Sequence, residues 1–374
     1  MKNKILLSVI ALSLILTGCS SDNINENKMS KTELKNFPSH ISEQLDEDLI
    51  IDAETKVLDA ENYNVFNVKY KQYDEEQICN IFIKDDIIDT RDEYGTGNDK
   101  TIGITTKNNK WLSIGENYLS FHVRDISYSH LMYESDKHLF NEMKRKFPKD
   151  TLTSLNKEES IDKVRQVAKE LNLPLNNEPI VYSLDVTSLK EAENNYMTDE
   201  EYAEWEELKP GTGKRNWTEE DEAYLIIFKS SLNNIPIYSR DLILSSDNSH
   251  LRESVVKAVV NKNGIVKFEA FSMYDSVSLD TENLSCIEYS KALEVVKDKY
   301  KNIILTSPIK VTNINLEYIP RIKNRELGEF ILTPAWVFLT ESQHTINDGN
   351  SNSKKVKTET GAIIVDAITG KEMK

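Results

Sequence analysis

One order of segments constrains this fold more than any other feature: a capped amphipathic helix followed by strand-like runs, occurring twice in the second half of the chain. The first copy opens with Asn156-Lys157-Glu158-Glu159 and the second with Ser285-Cys286-Ile287-Glu288. Each places a residue suited to an N-cap three positions before a Glu, the capping-box pattern. The apolar positions of the two helices keep step: Val164 aligns with Leu293, Val167 with Val296 and Leu171 with Tyr300, an offset of 129 residues (293 less 164). Strand-like runs follow each helix. In the first copy they are 180–186, 223–229 and 254–271, with Asn263-Gly264 as a hairpin signal. In the second they are 309–319, 329–339 and 362–367. The repeat unit is then one helix packed on an antiparallel sheet, an α+β arrangement. The copies differ in their inserts. The first carries a polar, acidic insert, 189–222, containing a helix near 199–207 and a Pro/Gly loop. The second carries 342–360, whose Ser, Asn, Gly and Lys content predicts a mobile loop.

Ahead of the repeats, 48–150 reads as an α+β N-terminal module. Folded structure is expected from Leu49-Ile50-Ile51-Asp52-Ala53. Asn64 to Tyr70 alternates as a strand, and Asp74-Glu75-Glu76-Gln77 opens a short helix into Ile78–Ile83. The Gly/Asp/Asn-rich stretch 92–100 predicts a loop. Segments 102–106 and 111–123 read as β-structure, and 138–147 as a helix ended by Pro148.

The extreme N-terminus reads differently. Lys2 and Lys4 precede an apolar run from Ile5 to Leu16. That run is shorter than the ~20 residues a membrane span requires, and has the length of a signal-peptide core. Leu16-Thr17-Gly18-Cys19 resembles the lipobox of bacterial lipoproteins. The resemblance implies that the Cys19 thiol is diacylated, that residues 1–18 are removed as a signal peptide, and that the protein is held by lipid on the extracytoplasmic face of the cell membrane. Residues 19–47 are polar, with Pro38 opposing a helix, and read as a tether. The segments expected are therefore 1–18 signal peptide, 19–47 tether, 48–150 N-terminal module, 151–280 first helix-sheet repeat and 281–374 second repeat.

The second repeat also resembles a PepSY-type unit. The matching residues are Tyr289-Ser290-Lys291-Ala292-Leu293-Glu294-Val295-Val296-Lys297, Pro334-Ala335-Trp336-Val337-Phe338 and Val365-Asp366-Ala367-Ile368-Thr369-Gly370-Lys371. The extracytoplasmic YycH and YycI regulators of a sensor kinase show similar units. In the first repeat, Asn233-Asn234-Ile235-Pro236-Ile237 resembles the turn and strand that precede the closing strands of such repeats. Ile51-Asp52-Ala53-Glu54 looks like uncharacterised lipoproteins of low-GC Gram-positive bacteria. The resemblance implies two PepSY-like units and a role in binding or regulation. Physically, Asp366 with Thr369-Gly370 predicts an Asx-type turn that stops the last strand, with Gly at a positive φ.

Catalytic chemistry finds no support in the sequence. His40, His122, His130, His138, His250 and His344 include no i,i+4 pair and no HExxH, so no metal site is expected. Pro210-Gly211-Thr212-Gly213-Lys214 lacks the spacing of a phosphate loop, and there is no G-x-S-x-G elbow. No cofactor is expected. The formal net charge of −16, which becomes −18 once Lys2 and Lys4 are removed, repels nucleic acid and favours basic partners. An extracytoplasmic location permits a disulfide, but Cys79 and Cys286 are read as separate buried thiols. Tyr202, Trp205 and Trp217 are aromatics within the acidic insert, as an interface hot spot would use, although they would serve equally to staple the insert to its own domain. The expectation is a non-catalytic lipoprotein that binds a protein or peptide in a regulatory or chaperone-like role. The alternatives are a solute-binding lipoprotein of a transporter and a cell-surface hydrolase.

Overall fold

The computed structural model describes residues 36–373 except 58–62, 97–99, 124–127, 129–142, 144–145, 209–212, 239–241, 245–248, 252, 302 and 348–353. Leu16, Thr17, Gly18 and Cys19 therefore lie outside the described residues, as do His130, His138 and most of the helix expected over 138–147. The first strands are β1 (His40–Asp46), β2 (Leu49–Lys56) and β3 (Tyr63–Tyr70). Helix α1 (Glu75–Phe82) leads to β4 (Ile88–Tyr94), β5 (Thr101–Thr106), β6 (Lys110–Ile114) and β7 (Tyr118–Val123). Next come α2 (Lys157–Glu170), β8 (Ile180–Leu184), α3 (Val186–Tyr196), α4 (Asp199–Leu208) and β9 (Ala223–Lys229). The short strands β10 (Ser231–Leu232), β11 (Ile235–Pro236), β12 (Leu242–Leu244) and β13 (Ser249–Leu251) precede β14 (Val255–Asn261), β15 (Gly264–Phe271) and β16 (Tyr274–Leu284). Helix α5 (Tyr289–Tyr300) and the long strands β17 (Ile309–Asn324), β18 (Glu329–Asn347) and β19 (Lys354–Asp366) complete the chain. The fold is α+β and is dominated by two large sheets.

The central sheet has eight strands in the order β4-β5-β6-β7-β15-β14-β9-β8, every pairing antiparallel. Both of its faces are covered, and this explains the unbroken apolar run of β9, whose first six residues are all buried. Tyr224, Ile226 and Phe228 oppose Val260, Ala258 and Val256 across the ladder and meet Ile161, Val164 and Ala168 of α2 on one face. Leu225 and Ile227 point the other way, towards Leu189 and Ala192 of α3 and the Trp217 ring. The hairpin expected at Asn263-Gly264 is present, displaced by one residue. Lys262 and Asn263 form the turn, and Gly264 opens β15 at φ +106°, a conformation that an L side chain resists.

The terminal sheet has the order β1-β2-β17-β18-β3-β16, with β19 beside the later part of β18. β18 serves two neighbours in succession: Glu329–Leu332 pair with β3, and Ala335–Asn347 pair with β19. β2 and β17 are parallel. Trp336 and Phe338 pack with Leu316, Tyr318, Val365 and with Ala292, Leu293 and Val296 of α5. The opposite face buries Ile319, Ala335, Val337 and Ile364 against Tyr238.

The structure departs from the expected segments in several places. The strands of 48–150 divide between the sheets: β2 and β3 join the terminal sheet and β4 to β7 the central one. β1 occupies 40–46, inside the expected tether, because β2 offers it an antiparallel ladder from His40↔Glu54 onward. β4 extends to Tyr94, into the expected loop 92–100. The expected mobile loop 342–360 is largely ladder, with pairs running from Ser342↔Glu359 to Asn347↔Lys354; cross-strand hydrogen bonding overrides its loop-like composition. Asn156 does cap α2, accepting from the Glu159 amide. Ser285 does not cap α5, which starts after Glu288. The backbone at Ile287 is engaged elsewhere: its N–H donates to Ala367, and its carbonyl accepts from Trp336 Nε1 at 3.3 Å.

Asp366 closes β19 as expected. Its Oδ1 accepts from the amides of Ile368 and Thr369 at 2.8 and 2.9 Å, and Gly370 lies at φ +71°. Asn233 and Asn234, at φ 50° and 65°, form the tight turn between β10 and β11, which delivers Ile235 and Ile237 to the core of the terminal sheet.

Candidate functional site

The acidic insert is built on a buried carboxylate. Asp185 caps α3, its Oδ1 accepting from the amides of Thr187 and Ser188. Burial raises its carboxyl pKa, but the bonds from Ser188 and Lys149 outweigh burial and hold it below the usual carboxylate range. One side of α3 carries Glu193, only 2% exposed. Glu193 Oε1 accepts from the Arg215 amide at 2.9 Å and Oε2 from Trp217 Nε1 at 3.0 Å. The Arg215 guanidinium lies 4.7 Å from the centre of the Trp217 ring and reaches Asp221 at 2.7 Å. Asp221 in turn accepts from the amide and hydroxyl of Thr218. Burial raises the Asp221 pKa too, and the Thr218 amide and Arg215 bring it below its ordinary value.

Helix α4 is fastened to this frame. Thr198 and Glu201 cap it reciprocally, Glu201 Oε2 accepting from the Thr198 amide at 2.7 Å and Thr198 Oγ1 from the Glu201 amide at 3.2 Å. Tyr202 is buried and donates to the Glu193 carbonyl at 3.3 Å. Burial, reinforced by the Glu193 charge, pushes its pKa well up. Lys214 pairs with Asp199 at 2.6 Å, and the Gly213 amide donates to Glu206.

The three aromatics of the insert thus separate. Trp217 is 1% exposed and Tyr202 is 6% exposed; Trp217 staples the insert to the central sheet, Tyr202 ties α4 to α3, and neither is available as a contact residue. Burial of the Trp217 indole depends on Glu193, 24 residues away, which no local pattern marks. Trp205 is 50% exposed and Leu208 is 84% exposed. They stand on a helix with six carboxylates and no basic residue. Across 189–222 there are twelve carboxylates and four basic side chains, a local charge of −8, half the net charge of the chain.

The remaining candidates are distributed. His40 lies 3.1 Å from Asp52 and from Glu54. His122 packs against Trp111. The side chain of His250 lies outside the described residues. His344, half-buried on β18, forms a polar node: Nδ1 is 3.1 Å from Ser307 Oγ, and Nε2 is 3.0 Å from Ser342 Oγ and 3.6 Å from Glu359. Sequence reading missed this node because its members come from a loop and two strands. Among the described residues no group of His, Cys, Asp and Glu is arranged to hold a metal ion. Cys79 and Cys286 are free thiols in separate parts of the fold. A shallow groove of about 520 Å³ runs past Asp74, Glu76, Gln77, Asn80, Ile81 and Glu170. Among the described residues no helix is long and apolar enough to cross a membrane.

No family model matches the chain, and no curated protein matches it. The crystal structure of an uncharacterized protein from Eubacterium rectale ATCC 33656 is similar, with a TM-score of 0.70 at 19% identity, over 92% of this chain and 97% of the other. That likeness concerns the fold.

Proposed function

We propose that the protein is a lipoprotein, anchored through Cys19 to the extracytoplasmic face of the membrane, that binds a protein or peptide partner in a regulatory or chaperone-like role without catalysing a reaction. The observation that carries this reading is the surface of α4, where Trp205 and Leu208 are held outward on a rigidly fastened acidic helix. A large aromatic presented by a pre-ordered element is the usual centre of a binding hot spot. The PepSY-like reading of the two helix-sheet units belongs to the same proposal and is supported by the succession of α2 then β8, β9, β14 and β15, and of α5 then β17, β18 and β19. Phe37 supports the anchoring geometry. Its ring lies 5.5 Å from Tyr289 and 5.4 Å from Trp336, so the chain arriving from the N-terminal side is seated on the terminal sheet.

Affinity capture of the lipidated protein from gently solubilised membranes tests the reading. A stoichiometric partner that survives washing is expected, and bait recovered alone would overturn it. Cys19→Ala should leave the chain unlipidated and its signal uncut; a mature, membrane-held variant would remove the anchor from the proposal.

A second reading, a surface hydrolase, is favoured by one observation, the 3.1 Å approach of Ser307 Oγ to His344 with Glu359 on the far side of the ring. A fluorophosphonate probe discriminates. The binding reading expects no label at Ser307, and labelling lost in His344→Ala would establish the hydrolase.

A further inference from the structure

We infer that the segment of the partner seated on α4 is a basic amphipathic helix. The inference rests on the binding reading above and specifies the chemistry of the surface that reading invokes. Tyr202 defines the inward side of α4. At 3.6 residues per turn, Glu200, Glu204 and Glu207 project on the opposite side, and Trp205 and Leu208 form a stripe along one flank. Glu201 lies one turn before Trp205, and Glu204 one turn before Leu208. Each apolar position is therefore bordered by a carboxylate. Other carboxylates of the helix are engaged within the insert, Asp199 by Lys214 and Glu206 by the Gly213 amide. Glu200, Glu204 and Glu207 have no ion-pair partner among the described residues.

This surface selects among occupants. Nucleic acid and anionic lipid are repelled by six carboxylates on ten residues. A second copy of the chain brings a net −16 of its own. An extended peptide would need an open strand edge to pair with, and a helix face offers none. Two apolar side chains at i and i+3, flanked by acids, match a helix whose own apolar stripe is flanked by Lys and Arg. Such a partner contributes apolar anchors for Trp205 and Leu208, and cations for the unpaired carboxylates. Because these charges are exposed, they set the encounter rate and the salt dependence more than the final affinity.

The test uses the full lipidated chain in nanodiscs of zwitterionic lipid and a labelled 18-residue Lys/Leu peptide of amphipathic design, read by fluorescence anisotropy. A peptide of identical composition with its order scrambled is the control. Saturable binding of the amphipathic peptide alone is expected. It should weaken at least tenfold in Trp205→Ala and in Leu208→Ala, and the combined variant Glu200→Gln, Glu204→Gln, Glu207→Gln should lose its salt dependence. Near-ultraviolet circular dichroism, sensitive to the buried Trp217, verifies that the variants fold. Equal binding of the scrambled peptide, or no change in Trp205→Ala and Leu208→Ala, would overturn the inference. A natural partner captured equally well by wild type and by Trp205→Ala would overturn it too, leaving the binding reading intact. Capture of nothing by the wild type would defeat the binding reading itself. Concentration-dependent self-association lost in Trp205→Ala would assign the surface to a second copy and also overturn the inference.

Discussion

Lys229, at the end of β9 in the central sheet, places its Nζ 3.0 Å from Glu317 Oε1 on β17 of the terminal sheet. Glu317 is 3% exposed, and its other neighbour is the Asn315 amide at 3.2 Å. The pair joins the two sheets through a carboxylate that water barely reaches. Removing one member strands the other, which is costly, whereas removing both charges is nearly neutral. Lys229→Met should therefore lower unfolding free energy by about 2–4 kcal/mol, at the lower end because the lysine is partly solvated. Lys229→Met with Glu317→Leu should recover most of the loss. Chemical denaturation of the four species of the cycle measures it, and additive losses would refute the coupling.

The insert depends on Glu193. Glu193→Ala leaves Trp217 Nε1 and the Arg215 amide without their acceptor, at a cost of about 1–3 kcal/mol for each buried donor. Tyr202 keeps its bond in this variant, because it donates to the backbone carbonyl of residue 193. The expected result is red-shifted tryptophan emission and early proteolysis within 189–222, ahead of global unfolding. Unchanged emission would mean that the indole is held by packing alone.

Acid should destabilise the protein through Asp185 and Asp221. Both have folded pKa values below the ordinary one, against about 3.9 for an unfolded Asp. A depressed pKa contributes stability in full above the unfolded value and loses it as pH falls through the folded one. Stability should therefore decline most steeply below about pH 4. Asp185→Asn should be less stable at pH 7, with a shallower acid limb. Parallel acid limbs in wild type and variant would rule out Asp185 as a contributor.

The two thiols lie in different cores, Cys286 fully buried and Cys79 half-buried. Burial, with the Glu75 charge, raises the Cys79 pKa and so slows its reaction. Native Cys19→Ala protein should react slowly with a thiol reagent, Cys79 before Cys286, and the denatured variant should release two thiols without a reductant. Fewer than two would reveal a disulfide between molecules.

Elements with a local cause were legible in the sequence. Asp74 before α1, Asn156 before α2 and the Asp366 turn each act on amides within three residues. The apolar steps of α2 and α5 likewise place Val164, Leu293 and Val296 in cores. What escaped has distant causes. Nothing near Ile51 indicates that it will pair in parallel with Val311. Nothing near Trp217 indicates that Glu193 will bury it while Trp205, 12 residues earlier (217 less 205), remains at the surface. The Ser285 cap is absent, and the Ile287 amide beside it donates instead to the Ala367 carbonyl, 80 residues away (367 less 287) and just past β19.

The nesting of the sheets bears on the order of assembly. All eight strands of the central sheet lie between Ile88 and Phe271, whereas the terminal sheet draws on residues 40–70 and 274–366. A chain emerging N-terminus first can close the central ladder while β2 still lacks β17 and β3 still lacks β18. β17 begins at Ile309 and β18 at Glu329, about 250 residues after β2 and β3 end at Lys56 and Tyr70, and closing so long a loop is slow. The protein thus matures from its middle outward. Until β17 and β18 are made, β2 and β3 present open edges, and a holdase or rapid completion of synthesis is what keeps those edges from joining a neighbour.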